Sequence, residues 1–168
     1  FYERFFDIAM IPSLQAWAMS SALIGCIIGA VSSGLISDKY GRKKPLLLAA
    51  ALFTISALGT GLVSDFNLFI FYRMLGGVGI GLASALSPMY IAEVAPAKMR
   101  GGFVSLNQFT IVIGILAAQI INMLIAETVP AEATDAFIKA SWNGQTGWRW
   151  MFMAEAVPAF LFFILVML

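Results

Sequence analysis

Apolar residues run along the 168-residue chain in five long blocks, at about 14–36, 46–63, 68–92, 103–126 and 150–168. Each is close to the roughly 20 residues that a helix needs to cross a hydrocarbon layer of about 30 Å. No water reaches backbone N–H and C=O groups in that layer, so only helices or closed barrels span it. The blocks predict five membrane-spanning helices and an all-α, polytopic chain. Three of the polar breaks between them are short, at 37–45, 64–67 and 93–102, and one is long, at 127–149. In the long break Pro130, Asn143 and Gly147, with no sustained period, predict an irregular loop over 127–147, partly helical between 131 and 140.

Charge then orients the helices. The breaks at 37–45 and 93–102 hold six of the ten Lys and Arg residues: Lys39, Arg42, Lys43, Lys44, Lys98 and Arg100. The alternate breaks hold Asp65, Glu127, Glu132 and Asp135 against Lys139 alone up to Gly147. Basic loops stay in the cytoplasm. This puts 37–45 and 93–102 inside and 64–67 and 127–149 outside, in the extracellular or periplasmic space, and makes the chain a multi-pass protein of the cell inner (cytoplasmic) membrane. All four tryptophans, Trp17, Trp142, Trp148 and Trp150, fall near the outer ends, where interfacial indoles belong.

Composition narrows the classes further. The chain is 61% hydrophobic and 11% charged, whereas soluble domains carry about 25% charged residues. A net charge of +1 gives no general field for nucleic acid. With Cys26 the single cysteine and no histidine, an internal disulfide and the usual metal sites are excluded. No cofactor loop and no nucleophile beside a base is visible, which argues against an enzyme. Residues 1–13 carry Glu3, Arg4 and Asp7 and lack the build of a signal peptide; the chain reads as one domain of a longer product.

A charge inside a span costs roughly 3 kcal/mol or more unless it is paired or wet. Three residues carry that cost: Arg73, Glu93 and Glu155. Arg73 and Glu155 each lie about six residues inside an outer helix end, so at 1.5 Å per residue both sit about 9 Å deep on the same side. A cross-helix ion pair is therefore expected, the alternative being that both reach outward to the headgroups. Burial and a neighbouring guanidinium act on such a carboxylate in opposite senses, which suits a proton carrier. Glu93 lies at the cytoplasmic end.

The fourth block adds Asn107, Gln108, Gln119 and Asn122. Positions 108, 112, 115, 119 and 122 share one helical stripe, so Gln108, Gln119 and Asn122 point the same way, separated by Val112 and Ile115. A carboxamide offers the donors and acceptor that a sugar hydroxyl needs; helix-to-helix hydrogen bonding is an equal reading of the same stripe. Gly25 and Gly29, and Gly77 and Gly81, have the four-residue spacing of close helix packing. Gly77-Val78-Gly79-Ile80-Gly81 fails the dinucleotide fingerprint and lies mid-span, and the Gly41-Arg42-Lys43-Lys44 run lacks the upstream glycine and following hydroxyl of a phosphate loop.

Gly34, Asp38, Lys39, Gly41, Arg42, Lys43 and Lys44 resemble the G-x-x-x-D-(R/K)-x-G-R-(R/K)-(R/K) signature of the major facilitator superfamily. Tyr72, Arg73, Gly76 and Gly77, then Pro88, Tyr90, Glu93, Pro96, Arg100 and Gly101, resemble its sugar porter branch. Asn107-Gln108-Phe109 and Gly147-Trp148-Arg149-Trp150-Met151-Phe152 extend the likeness along the chain.

The resemblance implies helices two to six of a twelve-helix transporter, an incomplete N-terminal half whose first helix and C-terminal half lie outside the sequence. It implies secondary active transport of a monosaccharide, xylose or a related pentose or hexose, by alternating access and coupled to protons. A uniporter, or a sugar sensor that no longer transports, are the alternatives on the same fold. In this family Gln108 would contact sugar, and Arg73 and Glu155 would belong to a proton-coupling relay with an aspartate of the first helix. Asp38, Arg42, Glu93 and Arg100 would form a cytoplasmic charge network. One departure stands out: members of the branch that take xylose have a second sugar-contacting glutamine seven residues after the first, where this chain has Ile115. Gln119, one turn further out, is the candidate substitute.

Overall fold

The computed structural model describes residues 12–126 and 141–167. The helices are α1 (Pro12–Tyr40), α2 (Lys43–Leu62), α3 (Phe66–Val94) and α4 (Arg100–Ile125). After the undescribed segment come a π-helical turn (Asn143–Gly147), α5 (Trp148–Ala154) and α6 (Ala156–Met167). Taken together, the turn, α5 and α6 form a fifth helix long and apolar enough to cross a membrane, so five such spans are present. Among the described residues there is no strand, and the all-α expectation holds. The expected loop at 127–140, with its partial helix at 131–140, lies outside the described residues, as do residues 1–11 and Leu168.

Several boundaries have a local cause. At the end of α1, Gly41 adopts φ 77°, and its N–H donates to the Ser37 carbonyl at 2.9 Å. A side chain at that left-handed position would be strained, so glycine closes the helix. Pro45 follows in the first turn of α2, where a missing N–H leaves no bond unmade. Asp65 starts α3, its Oδ1 accepting from the Asn67 N–H at 3.0 Å. At the other end Ala95 is extended, as a residue before Pro96 should be.

Packing centres on α3. On one side, α1 and α3 approach with their backbones in contact. A Cβ added to Gly25 or Gly29 would overlap the carbonyls of Met74 and Val78, and one on Gly77 or Gly81 those of Ala22 and Cys26. The small residues therefore interlock in both directions, as the four-residue spacing predicted. On the other side, Leu46 and Ala49 of α2 enclose Leu82 and Leu86 of α3, with Phe162 and Val166 of α6 against them. Leu82 and Leu86 are 1% and 0% exposed.

The helix α4 stands apart, with no buried residue. Among the described residues, two side-chain hydrogen bonds reach it from other elements: Ser87 Oγ to Asn107 Oδ1 at 3.2 Å, and Trp142 Nε1 to the Ile125 carbonyl at 3.3 Å.

The fifth span departs from the expected continuous helix over 150–168. It starts earlier, because residues 143–147, expected in the loop, wind into the π-helical turn, with Gly144 and Gly147 buried and Gly147 against the Trp142 ring. It also breaks at Glu155. Pro158 has no N–H for the Ala154 carbonyl, and its ring crowds that carbonyl. The ladder tightens there, Glu155 N–H donating three residues back to the Phe152 carbonyl at 3.2 Å, and the regular spacing is resumed by Ala159 N–H to the Glu155 carbonyl at 3.3 Å.

Candidate functional site

Arg73 of α3 and Glu155 at the α5–α6 break both line one cavity of about 70 Å³, together with Ser56 of α2, Ala22 of α1, and Gly76 and Gly77. The glycines make this possible. Gly77 lets α1 lie against α3, and Gly76 leaves room for the Ser56 hydroxyl, which donates to the Tyr72 carbonyl at 2.7 Å. Arg73 is half-buried, and Glu155 is on the exposed rim.

The expected direct ion pair is not made. Among the described residues, arginine–carboxylate contacts join Arg42 to Asp38 and to Glu93, and none joins Arg73 to Glu155. The Arg73 guanidinium instead sits over the ring of Phe152, 5.5 Å from its centroid. The two charges share a cavity without touching. Its volume decides what it can hold. Sites for drug-sized ligands occupy about 300–1,000 Å³, and water takes about 30 Å³ of liquid volume. About 70 Å³ suits water and a mobile proton rather than a sugar.

At the opposite end of α3 the charges do touch. Arg42 Nε donates to Glu93 Oε1 at 3.1 Å, and Arg42 Nη1 is 3.6 Å from Asp38 Oδ1. The pair ties the α1–α2 turn to the end of α3, so the breaks at 37–45 and 93–102 lie on one side. Arg100, expected in the same network, is exposed and joins neither contact. At the other end Arg149 donates to the Leu62 carbonyl at 3.4 Å and to Ser64 Oγ at 2.9 Å, which puts the 64–67 break beside the start of α5.

On α4, Gln108 and Gln119 are exposed and Asn122 is half-exposed, but so are the apolar residues of every other face, among them Leu106 at 56% and Ile113 at 49%. Exposure therefore does not single out the polar stripe. Asn107 separates from it, turning to Ser87.

Three side chains of this region had no role in the sequence reading: Ser56 was not singled out, and Arg149 and Phe152 appeared only within the 147–152 motif. Only Pro158, three residues after Glu155, carried a signal for the break that sets the cavity's rim.

Comparison with known proteins can now be added to this geometry. Residues 9–168 match the family described as Sugar (and other) transporter. The chain belongs to this transporter family. The resemblance of the loop signatures to the sugar porter branch of the major facilitator superfamily holds, and the family is one of transporters, not enzymes. The D-xylose-proton symporter of Escherichia coli (strain K12) is 42% identical over 92% of this chain and 33% of its own length. The glucose transport protein of Synechocystis sp. is 44% identical over 89% and 31%, and the arabinose-proton symporter of Bacillus subtilis 38% over 93% and 32%. The chain thus spans about a third of the length of these relatives.

Solved structures agree. The inward-open xylose transporter of E. coli superposes with a TM-score of 0.81 at 41% identity, over 94% of this chain and 38% of that one. The proton:xylose symporter bound to 6-bromo-6-deoxy-D-glucose gives 0.82 at 38%, over 98% and 38%. Five apolar helices in this fold make the chain a multi-pass membrane protein.

Proposed function

We propose that this chain forms most of the N-terminal half of a proton-coupled monosaccharide symporter of the inner membrane, with xylose or a related pentose or hexose as substrate. The carrying observation is that Arg73 and Glu155 line one cavity without forming an ion pair. A carboxylate left without an ion-pair partner on the rim of a small cavity can accept and release a proton as that space opens to either side. The names of the xylose and arabinose relatives, both proton symporters, support coupling.

In this reading sugar binds elsewhere, between two halves of the polypeptide. Gln108 and Gln119 on α4 are its candidate contacts from this half, and the lack of any buried residue on α4 supports a helix that takes cover from a second bundle. Asp38, Arg42, Glu93 and Arg100 act at the cytoplasmic face, where a second bundle would close against them. Alternating access then exposes the shared sugar site to each side in turn.

The test is labelled-xylose uptake by the full-length protein in proteoliposomes, with and without an inward proton gradient. The gradient should drive accumulation in the wild type and fail to do so in Arg73→Ala and Glu155→Gln. Equal uptake with and without a gradient would make the protein a uniporter. That reading has one observation behind it, since the Synechocystis relative is named for glucose transport without a coupling ion.

A further inference from the structure

We propose that Phe152 is a positioning residue, whose ring face seats the Arg73 guanidinium on one wall of the cavity and so keeps it out of a direct ion pair with Glu155. The inference rests on the relay assigned to Arg73 and Glu155 above. The distance of 5.5 Å from guanidinium carbon to ring centroid lies within the roughly 6 Å over which the negative face of an aromatic ring attracts a cation. Held this way, the guanidinium uses the ring for one face and keeps its N–H edges for water in the cavity.

The ring itself sits in an aromatic cluster. Phe69 meets it edge-on at 5.8 Å and 80°, Trp148 at 6.3 Å and 80°, and these two meet each other at 6.4 Å and 69°. Aromatic pairs prefer such edge-on contacts over a face-to-face sandwich, and two of them bear on the Phe152 ring. One turn earlier, Arg149 anchors α5 to the end of α2 through the Leu62 carbonyl and Ser64. One turn later on the same face comes Glu155. The seat for the cation and the carboxylate it must not capture therefore ride on one helix segment, anchored at Arg149 and ending at the Pro158 break. A closed ion pair would fix the carboxylate; the aromatic seat leaves it free to exchange its proton.

Replacing Phe152 in the full-length protein by a ring-trifluorinated phenylalanine keeps the shape and removes most of the negative face. Gradient-driven sugar uptake should then fall about threefold to tenfold in kcat, with KM for sugar changed less than about twofold. Phe152→Leu should fall at least as far, and Phe152→Tyr, which restores the face, should recover most of the rate. A thermal-unfolding cycle reads the contact independently of transport: fluorination should lower the Tm in the wild-type background and leave it unchanged in Arg73→Met. Equal Tm losses in both backgrounds, or wild-type kcat in the fluorinated protein, would overturn the assignment. Wild-type protein that accumulates no sugar under a gradient would defeat the symport reading, and the thermal cycle would still decide the contact.

Discussion

Helix α3 carries one member of each of two arginine–carboxylate sets, near its two ends, and the sets are built in opposite ways. At the cytoplasmic end Glu93 is in contact with Arg42 at 3.1 Å, on side chains 25% and 48% exposed. Near the outer end Arg73 and Glu155 are inside spans, share a cavity and do not touch. Water screens the first set, so contact there is cheap to make and to break. In the second, direct contact in a low dielectric would be hard to undo. There the guanidinium lies over the Phe152 ring instead. On the proposed function, the difference separates a fastening from a working site.

The largest effect should come from breaking the working site. Arg73→Ala in the full-length protein should reduce gradient-driven uptake about 100-fold, the scale of losing a positioned proton-transfer group, measured as initial rates in proteoliposomes. Next comes the frame that holds Arg73. Gly77→Leu forces a side chain into the Ala22 carbonyl and should destabilise the α1–α3 seam by about 1–3 kcal/mol, seen as a lower Tm in detergent. At Gly34, where nothing lies within 4 Å, Gly34→Ala should leave the Tm nearly unchanged. The comparison also predicts where sugar preference lies, which is in neither charge set. Ile115→Gln on α4 should shift the ratio of xylose to glucose binding by about twofold to tenfold, one hydrogen bond's worth. Smallest is the exposed pair: a double-mutant cycle of Arg42→Ala and Glu93→Ala should give a coupling below about 1 kcal/mol, weaker still in high salt.

Much of the frame was legible in the sequence, because length and apolarity alone decide what crosses a membrane. All five spans were found, four with ends shifted by a few residues and the fifth starting seven residues earlier than expected, and the Gly25/Gly29 and Gly77/Gly81 spacings pointed to the seam. The site was legible only as far as cost makes residues conspicuous. Arg73 and Glu155 stood out because hydrocarbon penalises charge, yet their depth suggested contact where the fold sets the guanidinium over the Phe152 ring. A phenylalanine in an apolar run carries no mark of what lies over its ring, and periodicity reports a face without naming the neighbour. Ser56 escaped for the same reason. The Glu155 break was written in Pro158, whose effect falls on the carbonyl four residues earlier, and an apolar run hides it. The stripe on α4 is a reading that awaits a test, since all faces of that helix are open.

One measurement bears most directly on the claim that Glu155 moves protons without binding sugar. Full-length wild type and Glu155→Gln are compared in the same proteoliposomes for sugar counterflow, which needs no net proton movement, and for accumulation against a sugar gradient. The account predicts that Glu155→Gln keeps counterflow within about twofold and loses accumulation about 100-fold. Accumulation at the wild-type level in Glu155→Gln would contradict it.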